Sequence, residues 1–186
     1  MLNFQKNLTL WSLLMKYILA TLLLIGSLEA GVVLPSNFSS SFTQTITTEK
    51  GKVIRYGGSV AFKDQRLFKW NYTSPTKKEV CTNGVEILVI DHDLEQVSNY
   101  MVDDGVNLEK IMSKAKLIKG NEYKAVYKNN AYMITLDGSA KLQKVSYKDS
   151  LDNKVSIIFS NVAYDQPNFN QNTLKCNAPK GYDRVK

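Results

Sequence analysis

A strict alternation of side chains over Phe68–Thr73 limits what this chain can become. Phe68, Trp70 and Tyr72 alternate with Lys69, Asn71 and Thr73, and a period of two residues puts all three rings on one face of an extended strand. A helix would scatter the same rings around its circumference. Asn83-Gly84 follows, between Lys78–Thr82 and Val85–Ile90, and this dipeptide readily adopts the positive backbone angles of a tight hairpin turn. Asp91-His92-Asp93 turns the chain again, into Leu94–Tyr100. The stretch 57–97 therefore reads as an antiparallel meander with one face of large side chains. That face either fills a core or lines a cavity.

The rest of the chain repeats the pattern. Lys52–Tyr56 and Ser59–Phe62 read as strands bent at Gly57-Gly58. Asn37–Thr48 carries Phe38, Phe42 and Ile46 at four-residue spacing, which allows a helical turn, but its threonines favour extended chain from Phe42 onward. Glu122–Lys128, Ala131–Leu136 and Lys141–Tyr147 are joined by Asn129-Asn130 and Asp137-Gly138. Lys154–Val162 follows, and Thr173–Asn177 reads as a last short strand before a basic tail. One stretch breaks the rhythm. In Asn107–Lys116, with Asn107 as N-cap, the residues Leu108, Ile111, Met112 and Ala115 recur at i, i+3, i+4 and i+7, the stripe of an amphipathic helix. Such a stripe is ordinarily core. Facing an aromatic sheet, it reads as a lid. The fold class is then mainly β (α+β), a strongly curved antiparallel sheet forming an incomplete β-barrel with a helical lid.

The N-terminus reads as an address. Met15-Lys16, the apolar run Tyr17–Ile25 and then Gly26-Ser27-Leu28-Glu29-Ala30 supply the charge, short apolar core and small residues of a secretory signal peptide. Residues 1–30 are the expected signal, with Met15 as an alternative start, and 31–186 one β domain. The rival reading is a membrane anchor over Leu8–Leu28, which would hold Lys16 within it. No cysteine lies near the cut, so a lipidated N-terminus is excluded. The formal charge is +7, but the basic residues are scattered and Lys77-Lys78 is their longest run, a poor footprint for nucleic acid.

Catalytic chemistry has little to work with. His92 is the single histidine, it sits in a turn, and no Gly-x-Ser-x-Gly elbow accompanies it. Asp91, His92 and Asp93 are neighbours in a tight turn and do not converge on one metal ion. The chain reads as a binding protein with no cofactor and no metal. Cys81 and Cys176 are an even count in an exported chain. They either pair in a disulfide or stand as two separate buried thiols.

The ordered motifs carry a resemblance. They are Phe42-Thr43-Gln44, Gly58 through Leu67-Phe68-Lys69-Trp70, Pro75, Asn83-Gly84, Leu88 to Ile90, Leu94-Glu95-Gln96-Val97 and a closing Pro179-Lys180-Gly181-Tyr182-Asp183. Together they resemble the LolA family, periplasmic carriers that move lipoproteins towards the bacterial outer membrane. The resemblance implies an unclosed barrel whose cavity takes acyl chains, with Phe68, Trp70, Tyr72, Leu88 and Ile90 as lining and Leu108, Ile111, Met112 and Ala115 as lid. It implies acylated lipoproteins, an inner-membrane lipoprotein-releasing transporter and an outer-membrane receptor as partners of a monomer. Two departures stand out. Only Gly31–Asn37 is available for the family's N-terminal amphipathic helix. The family's lid-latching Arg-Pro turn is replaced by Asp64-Gln65, leaving Lys63 or Arg66 to substitute. A periplasmic carrier of free lipids or other hydrophobic ligands is the alternative function, and an exported structural β-protein with a filled core is a third.

Overall fold

The computed structural model describes residues 31–101 and 108–185; the signal and anchor readings and the Asn107 cap fall outside them. The first half is a meander of six antiparallel strands: β1 (Asn37–Thr47), β2 (Val53–Lys63), β3 (Leu67–Ser74), β4 (Lys78–Thr82), β5 (Glu86–Asp91) and β6 (Gln96–Met101). A short helix, α1 (Leu108–Ser113), precedes a second meander. This comprises β7 (Lys116–Lys119), β8 (Glu122–Tyr127), β9 (Asn130–Leu136), β10 (Leu142–Lys148) and β11 (Lys154–Tyr164). A 3-10 turn at Gln171–Leu174 and a last strand, β12 (Asp183–Val185), end the chain.

All twelve strands form one sheet in the order β12-β6-β5-β4-β3-β2-β1-β11-β10-β9-β8-β7. The two meanders meet at a long antiparallel seam, where β1 pairs β11 from Phe38↔Tyr164 to Thr47↔Lys154. The sheet stays open, with β12 and β7 at its two edges. It curls strongly. Trp70 on β3 and Phe159 on β11 are three strand spacings apart, about 14 Å in a flat sheet, yet their ring centroids lie 6.4 Å apart. The core occupies the concave side, where Phe38, Phe42, Phe62, Ile134, Leu136, Leu142 and Val155 are all buried.

Several sequence expectations need correction. Asn37–Thr47 is extended throughout, because every residue of β1 pairs with β2. The expected helix over 107–116 is only six residues long, since Lys116 already opens β7. It tucks Ile111 and Met112 against one corner of the sheet, so no lid of the expected extent is present among the described residues. Thr173–Asn177 is not a strand: Thr173 and Leu174 end the 3-10 turn, and the strand lies further on, at β12.

Candidate functional site

The concave face is finished at one end and left open at the other. At the closed end Phe38 and Phe62 stack at 5.1 Å, and Phe38 meets Phe159 edge to face at 5.9 Å. The segment 31–34 and α1 cover this end: Val32 N–H donates to Met112 O at 3.1 Å, and Val32 and Leu34 pack on the core. Towards the open end, Phe42 meets Trp70 at 4.8 Å and Tyr72 at 5.2 Å, both edge to face. Ile46, Ile54, Tyr56, Trp70, Tyr72 and Tyr147 are only half-buried there. Burial pushes the Tyr72 hydroxyl up to about 12, and the phenols of Tyr147 and Tyr56 add to the effect. Tyr147 is raised by burial and then by Tyr132. An apolar floor rimmed by aromatic residues with polar tips suits an amphiphile.

The strand register divides the expected lining residues between two faces. Phe68 pairs with Thr82, Trp70 with Val80 and Tyr72 with Lys78, and across the next hairpin these partners pair with Ile87, Val89 and Asp91. Phe68, Trp70 and Tyr72 thus share the concave face with Ile87 and Val89. Leu88 and Ile90 pair with Cys81 and Glu79, which puts them on the opposite, outer face. They do not line the aromatic floor. Ile87–Ile90 is apolar at every position, so alternation alone could not say which pair points inward.

The outer face has a cover, tied down by the disulfide that was one of the two alternatives for Cys81 and Cys176. Cys176 is bonded to Cys81, with Cα atoms 5.9 Å apart. Leu174 is buried, Lys69 Nζ donates to Lys175 O at 3.5 Å, and Tyr182 OH lies 3.2 Å from His92 Nδ1. β12 then adds to β6 in parallel, from Asp183↔Gln96 to Val185↔Ser98. Beneath this strap Ile90 and Val97 face each other, at 0% and 2% exposure. A groove of about 610 Å³ remains beside the disulfide, lined by Leu67, Leu88, Leu174 and Ala178 among others.

The latch candidates are placed elsewhere. The Arg66 side chain lies against the Gly84 turn. Lys63 enters the turn through its backbone, its carbonyl accepting from Arg66 N–H at 3.3 Å. Gln65 instead borders a 270 Å³ cavity shared with residues 31–34, Met112 and Ser113, and Asp64 N–H donates to Ser36 O at 2.7 Å. The turn therefore touches the covering segment through Gln65 and its backbone. Of the lid candidates, Ile111, Met112 and Ala115 are buried; Leu108 opens α1, and its side chain falls outside the described residues.

The candidate metal ligands are committed to other partners. Asp91 pairs with Lys78 at 2.9 Å and caps its own turn through Asp93 N and Leu94 N. Its carboxyl is held below the usual carboxylate range, first by the Lys78 hydrogen bond. Asp93 accepts from Lys77 N at 3.0 Å. Glu79 stands beside Cys81 and Cys176, but the two sulfurs are joined to each other.

Comparison with known proteins fits this architecture. The sequence profile of the outer membrane lipoprotein carrier protein LolA matches residues 35–122. An outer-membrane lipoprotein carrier protein of Campylobacter jejuni subsp. jejuni serotype O:2 is 34% identical over 171 residues, covering 92% of this chain and 99% of that protein. Its counterpart in Wolinella succinogenes is 31% identical over 125 residues, covering 67% and 73%. Among solved structures, an uncharacterized conserved protein of Thermus thermophilus aligns with a TM-score of 0.53 at 13% identity, covering 82% of this chain and 91% of that one, a likeness of fold alone. With a relative above 30% identity matched along almost its whole length, the chain belongs to the LolA family of outer-membrane lipoprotein carrier proteins.

Proposed function

We propose that this protein is a periplasmic carrier that takes up the acyl chains of lipoproteins leaving the inner membrane and shields them on the way to the outer membrane. The observation that carries the reading is the concave face itself: an aromatic floor, closed at one end by residues 31–34 and α1, and half-exposed at the other around Trp70 and Tyr72. Sequestering an acyl chain from water is worth about 0.8 kcal/mol per CH₂, so a floor of this kind is sufficient without covalent chemistry. The names of the relatives support lipoprotein as the cargo.

Loading and release both require the floor to become accessible. The corner made by residues 31–34 and α1 is the part that would yield, because it is held by few elements while the sheet is continuous. Phe68 pairs with Phe62 at the closed end of the floor, and Trp70 and Tyr72 lie towards the opening. An inner-membrane transporter and an outer-membrane receptor are the partners such a cycle calls for. The purified protein should extract acylated lipoprotein from inner-membrane vesicles, and protein isolated from periplasm should carry it. Mass spectrometry separates this from the alternative: free lipids in place of acylated polypeptide would point to a general lipid carrier.

A further inference from the structure

Four tyrosines gather at the open end of the concave face. Tyr56 and Tyr72 meet edge to face at 5.9 Å, and Tyr132 and Tyr147 are tilted at 5.4 Å. The first pair stands on β2 and β3 and the second on β9 and β10, on opposite sides of the β1–β11 seam. In a flat sheet β3 and β10 would be four spacings, about 19 Å, apart. The curl closes this span: Phe42 at the seam meets Tyr72 at 5.2 Å, and Trp70 lies 6.4 Å from Phe159 across it, so that the Tyr147 phenol also bears on that of Tyr72.

Among the described residues their hydroxyls share the lack of a protein partner with Tyr100, Tyr123 and Tyr127, and what sets them apart is their pairing, ring against ring, at the open end of the concave face. Tyr164 OH accepts from Leu142 N at 2.7 Å, and Tyr182 OH is paired with His92. Among the described residues, the hydroxyls of Tyr56, Tyr72, Tyr132 and Tyr147 make no hydrogen bond to another protein group, and none is a buried orphan. Buried phenols ordinarily find a partner. Tyr56, Tyr72 and Tyr147 are half-buried and Tyr132 is buried beside Tyr147, so these donors sit unpaired at the edge of a largely apolar floor. Gln44 lies in the same region, its β2 partner being Tyr56 and its β11 partner Ile157, and its amide has no protein partner among the described residues.

A hydrocarbon tail has no use for a donor, but the group that attaches it does. An acyl ester presents oxygens that accept and no hydrogen to donate, and removing its carbonyl from water unpaired is unfavourable. We propose that Tyr56, Tyr72, Tyr132 and Tyr147 form an ester-recognition ring, which hydrogen-bonds the ester carbonyls of acyl chains whose tails lie on the aromatic floor. This inference rests on the acyl-carrier reading of the same face. It adds a chemical preference that burial of apolar area alone does not provide.

The test compares two ligands of equal chain length. One is a dipalmitoyl-glyceryl-cysteine lipopeptide; the other is its dialkyl ether analogue, which lacks the carbonyls. Binding to the full folded protein is followed by Trp70 fluorescence and calorimetry. The wild type should prefer the ester about tenfold, given that one hydrogen bond changes affinity by roughly two- to twelvefold. In Tyr72→Phe and Tyr147→Phe the ester-to-ether ratio should fall towards one. A purely structural role would weaken both ligands alike and leave the ratio unchanged, which would overturn the ring. So would equal affinity of the wild type for both ligands, and that outcome would leave the carrier reading standing. Failure of the wild type to bind either ligand would remove the carrier reading and the ring together.

Discussion

Gly58 sits where no side chain fits. A Cβ built there collides with the backbone carbonyl of Asn71 on β3, at the point where the β2–β3 register slips between Gly57 and Gly58. Gly58→Ala should lower stability by roughly 1–3 kcal/mol through forced backbone shift, read as a lower urea midpoint with an unchanged slope. Tyr72 makes a second prediction at this scale. Its hydroxyl titrates at about 12 in the fold against an ordinary 10, so the folded state keeps its proton longer than the unfolded chain. The stability it contributes is therefore complete below pH 10 and is lost as pH rises towards 12. Denaturant midpoints between pH 9 and 12 should fall less steeply in Tyr72→Phe; an identical fall in both proteins would reject the assignment. The rings Phe68, Trp70 and Tyr72 were legible in the sequence because polar residues alternate with them. Leu88 and Ile90 were not, because β5 is covered on both faces and so is apolar at successive positions.

The helix α1 is too short to persist alone. Its place is fixed by the burial of Ile111, Met112 and Ala115 and by the Val32–Met112 hydrogen bond. Met112 is 1% exposed, and Met112→Ala should cost about 2–5 kcal/mol if the corner unfolds with the sheet. If the corner opens by itself, as a carrier requires, the global midpoint will move less and amide exchange at Val32 will accelerate. Hydrogen exchange distinguishes the two. The sequence displayed this helix through its spacing but not its length, because Lys116-Leu117-Ile118-Lys119 continues with residues that either conformation accepts. β7 and β12 escaped notice for a related reason. Both are short, exposed strands with no buried face to impose alternation.

Across the molecule, the turn chemistry of Asn83-Gly84 and Asp137-Gly138 and the number of short strands made a curved antiparallel sheet legible, while the seam that sets its curl was not. Curl depends on which strands pair at the seam, and no local pattern in β1 names β11 as its partner. The disulfide spans the same scale, linking positions 95 residues apart. On the chain-entropy view it contributes about 4–5 kcal/mol. Replacing both Cys81 and Cys176 with Ser should lower the urea midpoint accordingly and loosen the strap over Ile90, seen as faster exchange at Asp183, whose N–H donates to Glu95 O. Because the strap lies on the outer face, acyl binding by the variant should persist while it remains folded.

The seam has a further consequence, for the order of events during folding. Each meander is built from neighbouring hairpins and can begin to form as soon as its own strands exist. The seam cannot: Phe38 waits for Tyr164, and Thr47 for Lys154. Such remote pairings raise contact order and slow folding. A chain emerging from its N-terminus therefore has a half-sheet with a bare β1 edge until nearly all of it is available. The far wall of the floor, with Ile157, Phe159 and Tyr147, arrives only in the step that closes the seam, so a partly made chain presents half of the acyl site.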